Sequence, residues 1–319
     1  MLKKILIILI LLLLVVVNTA LSSANFNNHY IVDDEGDGDF TNIQDAINNA
    51  TDGDFIWVYS GNYSGDININ KTLSIIGIDQ EYLNGSDTGN PRIWASRVYI
   101  HQTTGVLFTN FSLEGNPDAC KIKIEDSNNC SIINCSADYL LLYNANKMIV
   151  DHCVFTPTFD YFASVNLILS SNNIITNNIC IAGAPNTIYN TGICLQASNN
   201  NQLLNNTCIA RDSINTMATD PAIYISLSHN NIIKGNNITQ SDIGVKLRGS
   251  NKNEITRNNF INNSNHAFFK KCKGNTWSEN YWDDLTTISR FKIIMGKIGP
   301  IFGLIPWINI DFHPTKEPY

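Results

Sequence analysis

Asn173-Ile174-Ile175-Thr176-Asn177-Asn178 opens a phrase that returns four times: Asn201-Gln202-Leu203-Leu204-Asn205-Asn206, Asn231-Ile232-Ile233-Lys234-Gly235-Asn236, Asn253-Glu254-Ile255-Thr256-Arg257-Asn258 and Asn275-Thr276-Trp277-Ser278-Glu279-Asn280. The skeleton is Asn-x-apolar-x-x-Asn, and successive apolar anchors lie 28, 30, 22 and 22 residues apart. Spacing in that range marks a solenoid. One unit cannot bury its own apolar side, so the units must stack.

Eight residues before each first Asn stands Val165, Ile193, Ile223, Val245 or Ala267, and alternation follows, as in Ile223-x-Ile225-x-Leu227. Period two means a strand with one buried face. The residue two past the second Asn is again apolar (Cys180, Cys208, Ile238, Phe260, Trp282). Each coil therefore reads as strand, tight turn at Asn, strand and a variable loop. Asn suits the turn because it tolerates left-handed backbone. Stacked about 4.8 Å apart, equivalent side chains can bond along the stack. Two ladders are expected, Asn173, Asn201, Asn231, Asn253 and Asn275 in one, Asn178, Asn206, Asn236, Asn258 and Asn280 in the other. With 15% charged and 44% hydrophobic residues the chain is not a disordered polar tract.

Weaker coils extend upstream: Cys130-x-Ile132-x-x-Cys135, Lys147-x-Ile149-x-x-His152, Leu107 with Asn110, and Leu73-x-Ile75 before Gly77. The expected fold is all-β, a single-stranded right-handed parallel β-helix with a short N-terminal capping helix and a C-terminal cap. Solenoid ends need caps because they expose core and strand edges. Thr41-x-x-Gln44 reads as a capping box before a helix bearing Ile43, Ala46 and Ile47, with Gly53 past its end. Strand Phe55–Tyr59 and a turn through Gly61-Asn62-Tyr63 follow. Phe291–Trp307 reads as an apolar lid on the last coil, with Pro306, Pro314 and Pro318 keeping the tail extended. The expected divisions are 1–24 signal peptide, 25–54 N-terminal cap, 55–282 β-helix and 283–319 C-terminal cap.

Lys3 and Lys4, the apolar run Ile5–Val17 and Ser22-x-Ala24 have the form of a secretory signal, with an uncleaved anchor as the alternative. Either places the domain outside the cytoplasm, secreted or at the cell surface. The mature chain offers no stable membrane span. A formal charge of −7 without a strong basic cluster argues against nucleic acid as partner. The chain is expected to be a monomer. Of eight Cys, Cys180 and Cys208 fall at one inward position of adjacent coils, forming either a core thiol stack or one disulfide. Cys194, alternating with Ile193 and Leu195, is expected to point outward.

Gly38-Asp39-Phe40-Thr41-Asn42-Ile43-Gln44-Asp45-Ala46-Ile47, then Gly53-Asp54-Phe55-Ile56-Trp57-Val58 and Gly61-Asn62-Tyr63, resemble the entry to β-helices of the pectin-lyase-like superfamily. Together with the Asn phrases, the chain most resembles NosD-type β-helix proteins. The ending Pro306-Trp307-x-Asn309-x-Asp311-Phe312-His313-Pro314 looks like the tail of extracellular β-helix proteins of methanogenic archaea. The resemblance covers the mature chain and implies a fold, but this fold hosts enzymes, binders and structural proteins alike.

The chain departs from the enzymes of that superfamily. Gly65 stands where the pectinesterases resembled here carry Glu, and their later motifs are absent. Ile149-Val150-Asp151-His152 resembles a pectate-lyase segment in which Asp helps hold calcium, but the Arg-x-Pro-x-x-Arg motif that supplies the base is missing. Asp151, with loop carboxylates Asp212 and Asp220, carries the lyase or hydrolase reading. Asp33, Asp37 and Asp39 lie in an oxygen-rich run that could hold calcium, though without EF-hand spacing; a solvated acidic loop is the simpler reading. No other cofactor is expected. The NosD resemblance implies copper-site maturation, yet the six His are scattered. The remaining candidate is the outward face of the strand before the Asn turn, with Tyr224, Lys246, Arg248 and Phe268 among its residues. A flat sheet bearing aromatic and basic groups suits an extended sugar polymer. A non-catalytic binder of polysaccharide or envelope components is therefore the leading expectation.

Overall fold

The computed structural model describes residues 27–115, 121–157, 163–182, 191–210, 221–286, 288–299 and 305–319. The segment read as a signal, Met1–Ala24, lies outside the described residues, as do Asp212 and Asp220. Within the described residues the chain winds into a right-handed parallel β-helix with two sheets of eleven strands and one of ten. The first sheet runs from His29–Val32 to Thr276–Ser278, the second from Asn62–Ser64 to Tyr281–Trp282, and the third from Ile67–Ile69 to Asn265–Lys270 and onward into a terminal hairpin. Each coil contributes one strand to each sheet, so three strands replace the expected two. The residue two past the second Asn lies in the third of them, as Cys180 does in Ile179–Ala182.

The Asn doublets divide the work at each corner. The first Asn of a doublet is left-handed (Asn172 φ 62°, Asn177 φ 55°, Asn200 φ 57°, Asn205 φ 53°). The second is buried and faces the coil interior. The ladder residue is thus not the turn residue, contrary to the sequence reading. Left-handed φ turns the chain sharply enough to bring the next side chain inward, and Asn, Gly, Lys and Arg all fill that turn position in different coils.

Each inward amide bonds both ways along the stack. Asn206 Oδ1 accepts from Asn178 N and Nδ2, both at 3.0 Å, while Asn206 Nδ2 donates to Ile175 O at 2.8 Å and Asn236 Oδ1 at 3.0 Å. The other file repeats this, with Asn231 Nδ2 donating to Asn253 Oδ1 at 3.0 Å. In a dry interior such amides would otherwise be costly orphans. A third file is made of serines: the backbone N–H of Ser170, Ser198 and Ser228 donates to the hydroxyl of Ser198, Ser228 and Ser250, and Ser250 N donates to Cys272 Sγ. These stand three residues before each first Asn, a spacing visible in the sequence and missed.

Upstream the register keeps Ile132, between Cys130 and Cys135, and Ile75 as anchors, and shifts the two other coils by one residue. Val150 pairs with Ile132 and Ile175, and Phe108 with Ile132 and Ile75. Val150 and Phe108, rather than Ile149 and Leu107, are the buried anchors, while Asn110, Lys147 and His152 are left-handed corner residues. The inward positions in these coils are Met148 with Cys153 and Cys130 with Cys135, so sulfur and hydrocarbon continue the files where amides stop. Cys153 N still donates to Asn178 Oδ1 at 2.8 Å, and Cys135 N to Cys153 Sγ at 3.5 Å. Cys180 and Cys208 pair in register as free buried thiols, which gives the thiol stack rather than a disulfide.

The N-terminal helix is Ile43–Asn49, with Asn42 as N-cap accepting from Gln44 N and Asp45 N. Thr41 is not the cap, because Asn42 is the residue with extended backbone; Gln44 instead exchanges bonds with the Asn68 backbone. Ile43, Ala46 and Ile47 are buried against the first coil. Lys71 Nζ closes the helix end through Ile47 O, Asn48 O and Ala50 O. The first-sheet strand is Phe55–Val58, and Asn62–Ser64 is a strand rather than a turn.

At the other end, the expected lid is a hairpin, Lys292–Ile298 with Ile305–Asp311, that adds to the third sheet. Gly296 lies over Phe269, whose ring a Cβ there would meet at 2.5 Å. Pro306 lies within the hairpin, opposite Lys297. The second Asn file ends on Asp311: its Oδ2 accepts from Asn280 N, Asn280 Nδ2 and Trp282 Nε1 at 3.1, 3.0 and 3.2 Å. A fully buried carboxylate supplies there the acceptor that no further coil provides.

Candidate binding face

The third sheet is the face on which cations and aromatic rings collect. Alternation turns Arg97, Tyr99 and His101 outward on one strand and Lys121, Lys123 and Glu125 on the next, in register as Lys121–Arg97, Lys123–Tyr99 and Glu125–His101. Lys123 Nζ stands 4.9 Å from the Tyr99 ring centre and 2.7 Å from Glu125 Oε2. Tyr99 donates its hydroxyl to Glu125 and stacks on His101 with centroids 4.5 Å apart. Its hydroxyl is pushed up to about 12, first by that bond, and Lys123 with Tyr99 holds Glu125 below the usual carboxylate range. Lys123 is thereby fixed upright on the sheet. Asp66, Asn68, Arg97, Val98, Tyr99, Lys121 and Lys123 line a cleft of about 390 Å³.

The same outward file resumes at the other end. Tyr224, Lys246 and Phe268 are register neighbours, as are Ser226, Arg248 and Lys270. Lys246 Nζ lies 5.8 Å from the Tyr224 ring centre, within cation–π range. Arg248 is exposed; Tyr224, Lys246 and Phe268 are half-buried. The structure thus brings together the four ligand residues read from the sequence. It adds Arg97, Lys121, Lys123 and Tyr99, which the alternations Arg97-x-Tyr99-x-His101 and Lys121-x-Lys123-x-Glu125 already carried.

Between the two clusters the face changes character. Cys194 is fully buried, not exposed as the alternation suggested. The short thiol sits between Asn166 and Tyr224 on adjacent strands, and Gln196 Nε2 folds back to 3.6 Å from it. Burial pushes this thiol up to about 12, so it is no reactive centre. Residues 183–190 and 211–220, which follow the strands Ile179–Ala182 and Thr207–Ala210, lie outside the described residues. By contrast, the second-sheet strands from Ser136–Ala137 to Asn259–Ile261 carry no charged residue.

Asp151 lies on the first sheet, paired with Ile133 and Thr176. Burial would raise its carboxyl, but bonds from Asn177 Nδ2 at 2.9 Å and His152 Nδ1 at 2.8 Å bring it below the usual range. A carboxylate held ionised in this way is a poor proton donor at neutral pH.

Three groups of potential metal donors occur among the described residues: His266 with Asp283 and Asp284; Asp33 with Glu35 and Glu81; Asp34 with Glu35 and Asp87. His266 Nε2 lies 2.8 Å from Asp283 Oδ1, and Lys292 Nζ lies 2.5 Å from Asp284 Oδ2, so that first group already contains its cation. Of Asp33, Asp37 and Asp39, the residues singled out in the acidic run, Asp33 alone enters a group; its run neighbours Asp34 and Glu35 enter as well. Asp39 Oδ2 accepts from Ile31 N, and Asp37 Oδ2 from Asn84 N and Nδ2.

Residues 47–290 match the family model described as "Periplasmic copper-binding protein (NosD)". No curated protein matches the chain. Among solved structures, the surface adhesin PfbA of Streptococcus pneumoniae is similar at 12% identity and TM-score 0.53, over 75% of each chain. The A-module of mannuronan C-5 epimerase AlgE4 from Azotobacter vinelandii is similar at 10% identity and TM-score 0.51, over 79% of this chain and 82% of that one. The AlgE6 A-module is similar at 12% identity and TM-score 0.51, over 79% and 81%. At such identities the shared property is the fold.

Proposed function

The chain belongs to the NosD family, and from that premise we propose that it is an extracytoplasmic β-helix that holds an extended anionic polysaccharide along its third sheet without cleaving it. The cation and aromatic file on that sheet, from Arg97, Tyr99, Lys121 and Lys123 to Tyr224, Lys246, Arg248 and Phe268, carries the reading. The chain bears net charge −7, yet one face concentrates Lys and Arg beside rings. Strand spacing of about 4.8 Å offers such groups at a regular rise. Rings contact sugar faces while cations meet carboxylate or sulfate groups. A surface adhesin and mannuronan epimerases share the fold. From them the proposal takes only the class of partner, a surface or polysaccharide polymer.

Copper, which the family description names, does not fit the donors present. All six His lie in described residues, and among the described residues no donor group of three or more contains two of them or a Cys. Copper sites use His, Cys or Met clusters. The seven described Cys are buried, Met148 fills the core, and Met295, exposed on the terminal hairpin, has no His or Cys beside it in either strand of that hairpin. No step of the proposed function runs through copper. The catalytic alternative rests on Asp151, which faces outward from a different sheet, and on Asp212 and Asp220, which lie outside the described residues.

The test is binding of the purified protein to a polyuronate, a sulfated polysaccharide and a neutral glucan across a salt series. Retention of the anionic polymers that weakens with salt supports the proposal. The double substitution Lys121→Glu with Lys246→Glu should weaken it at least tenfold. Equal retention of the neutral glucan, or no effect of the double substitution, would overturn it.

A further inference from the structure

The proposed function leaves the acidic pocket at the N-terminal entry unused. Asp33 is fully buried, and its Oδ1 has no hydrogen-bond partner; Oδ2 accepts from Asp37 N at 3.1 Å. A carboxylate oxygen of Asp33 lies within 4.8 Å of one from Glu35 and one from Glu81. Asp34, Glu35 and Asp87 form a second such group that shares Glu35. Asp34 Oδ1 is likewise buried without a partner, while its Oδ2 accepts from Asn62 N at 2.9 Å. Among the described residues no Lys or Arg is ion-paired to any of these five acids. Arg92 lines an adjoining cleft with Asp87.

The backbone makes room for this crowding. A Cβ on Gly61 would fall 1.8 Å from Asp34 Oδ1, and one on Gly85 would fall 2.6 Å from Glu81 Oε2. Both glycines have positive φ. Glu81 is anchored in its loop by bonds from Tyr82 N at 3.0 Å and Asp87 N at 3.1 Å. The two segments that supply the acids are 33–35 and 81–87, already linked by Asn84 to Asp37. Fully buried carboxylates are normally paired or bound to metal. A fully buried carboxylate with one unpartnered oxygen, set within 4.8 Å of two further carboxylates, has the hard-oxygen chemistry of calcium, which takes several oxygens in flexible geometry.

We propose that Asp33, Glu35 and Glu81, flanked by Asp34 and Asp87, bind one calcium ion that ties the entry loop to the loop after the Ser74–Gly77 strand. The electrostatics agree. Burial raises the Asp33 carboxyl, and the facing Asp34 carboxyl pushes Glu35 up to about 7. A divalent cation inverts that repulsion. The function is structural: it fastens the end of the solenoid, where among the described residues no earlier coil supports the first strands.

Terbium, which replaces calcium and is excited through nearby tyrosine, is the direct probe. Tyr82 is adjacent to Glu81, and its ring lies 4.7 Å from that of Tyr59. Terbium added to the purified protein should give saturable, tyrosine-excited emission at one ion per chain. Calcium should displace it, and magnesium should displace it at least tenfold less well. Asp33→Asn, Glu35→Gln and Glu81→Gln should each weaken calcium competition at least tenfold, while Asp283→Asn leaves it unchanged. Should Asp33→Asn fail to fold, Glu35→Gln answers the same question, because that side chain is exposed. Absence of saturable emission, emission unchanged in Glu35→Gln and Glu81→Gln, loss of emission in Asp283→Asn, or equal displacement by magnesium would each overturn the assignment.

Discussion

Replacing Asn206 by Ala removes one rung of the second asparagine file and tests whether the files hold the coils together. Asn178 N donates to Asn206 Oδ1 and would become a buried orphan. Asn178 Nδ2 loses one of its two acceptors but keeps Val150 O. Ile175 O loses the bond from Asn206 Nδ2, whereas Asn236 Oδ1 still accepts from Asn206 N. One full orphan costs about 1–3 kcal/mol and each of the two partial losses about 1 kcal/mol, so the total is about 3–5 kcal/mol before the small cavity adds its share. The control is Asn205→Ala, at the neighbouring exposed position with φ 53°. Placing Ala in left-handed backbone should cost only about 1–2 kcal/mol. Urea unfolding gives the two free energies, and native-state hydrogen exchange at Asn178 and Asn206 locates the loss. A deficit for Asn206→Ala below about 1 kcal/mol, or equal to that of Asn205→Ala, would refute the reasoning.

Three further outcomes are expected. Asp311→Ala should destabilise the C-terminal coils by about 3 kcal/mol, since Asn280 N, Asn280 Nδ2 and Trp282 Nε1 lose their shared acceptor. Asp311→Asn should cost less, and tryptophan-monitored melting compares the two. Burial holds His266 below the ordinary histidine range, against the opposing pull of Asp284 and Asp283. The unfolded chain therefore takes up the proton first, and stability falls as pH drops through about 6.5, levelling off below the folded value. Unfolding free energy against pH should show this slope in the wild type and a flatter one in His266→Gln. Cys180, Cys194 and Cys208 should resist alkylation in the native protein and react once urea unfolds it, as mass mapping of each modified peptide would reveal.

The strongly periodic coils were legible because Asn173 through Asn280 repeat both an identity and a spacing. Where Met148 and Cys153 occupy the same inward positions, identity no longer marks the frame. The more visible polar residues Lys147 and His152 then pull it one place away. The left-handed corner and the inward rung are both Asn in the doublets, so sequence merged two roles that backbone geometry separates. The serine file was present at constant offset, yet serine is common enough in loops to escape notice.

The binding face was half legible. Tyr224, Lys246, Arg248 and Phe268 follow from the repeat, whereas Arg97, Lys121 and Lys123 sit upstream, where the frame was weaker. Burial of Cys194 depends on the side chains of neighbouring strands and on Gln196 folding back, which alternation does not encode. The acidic pocket joins Asp33 to Glu81 across 48 positions of chain, a contact that only the winding of the solenoid creates.

The most direct test of the central claim follows one polyuronate with the wild-type protein, reading bound polymer and released product in the same tube. The account predicts retention that falls as salt rises, with the polymer recovered at its original length. Shortened or unsaturated product, or a complete lack of retention at low salt, would contradict it.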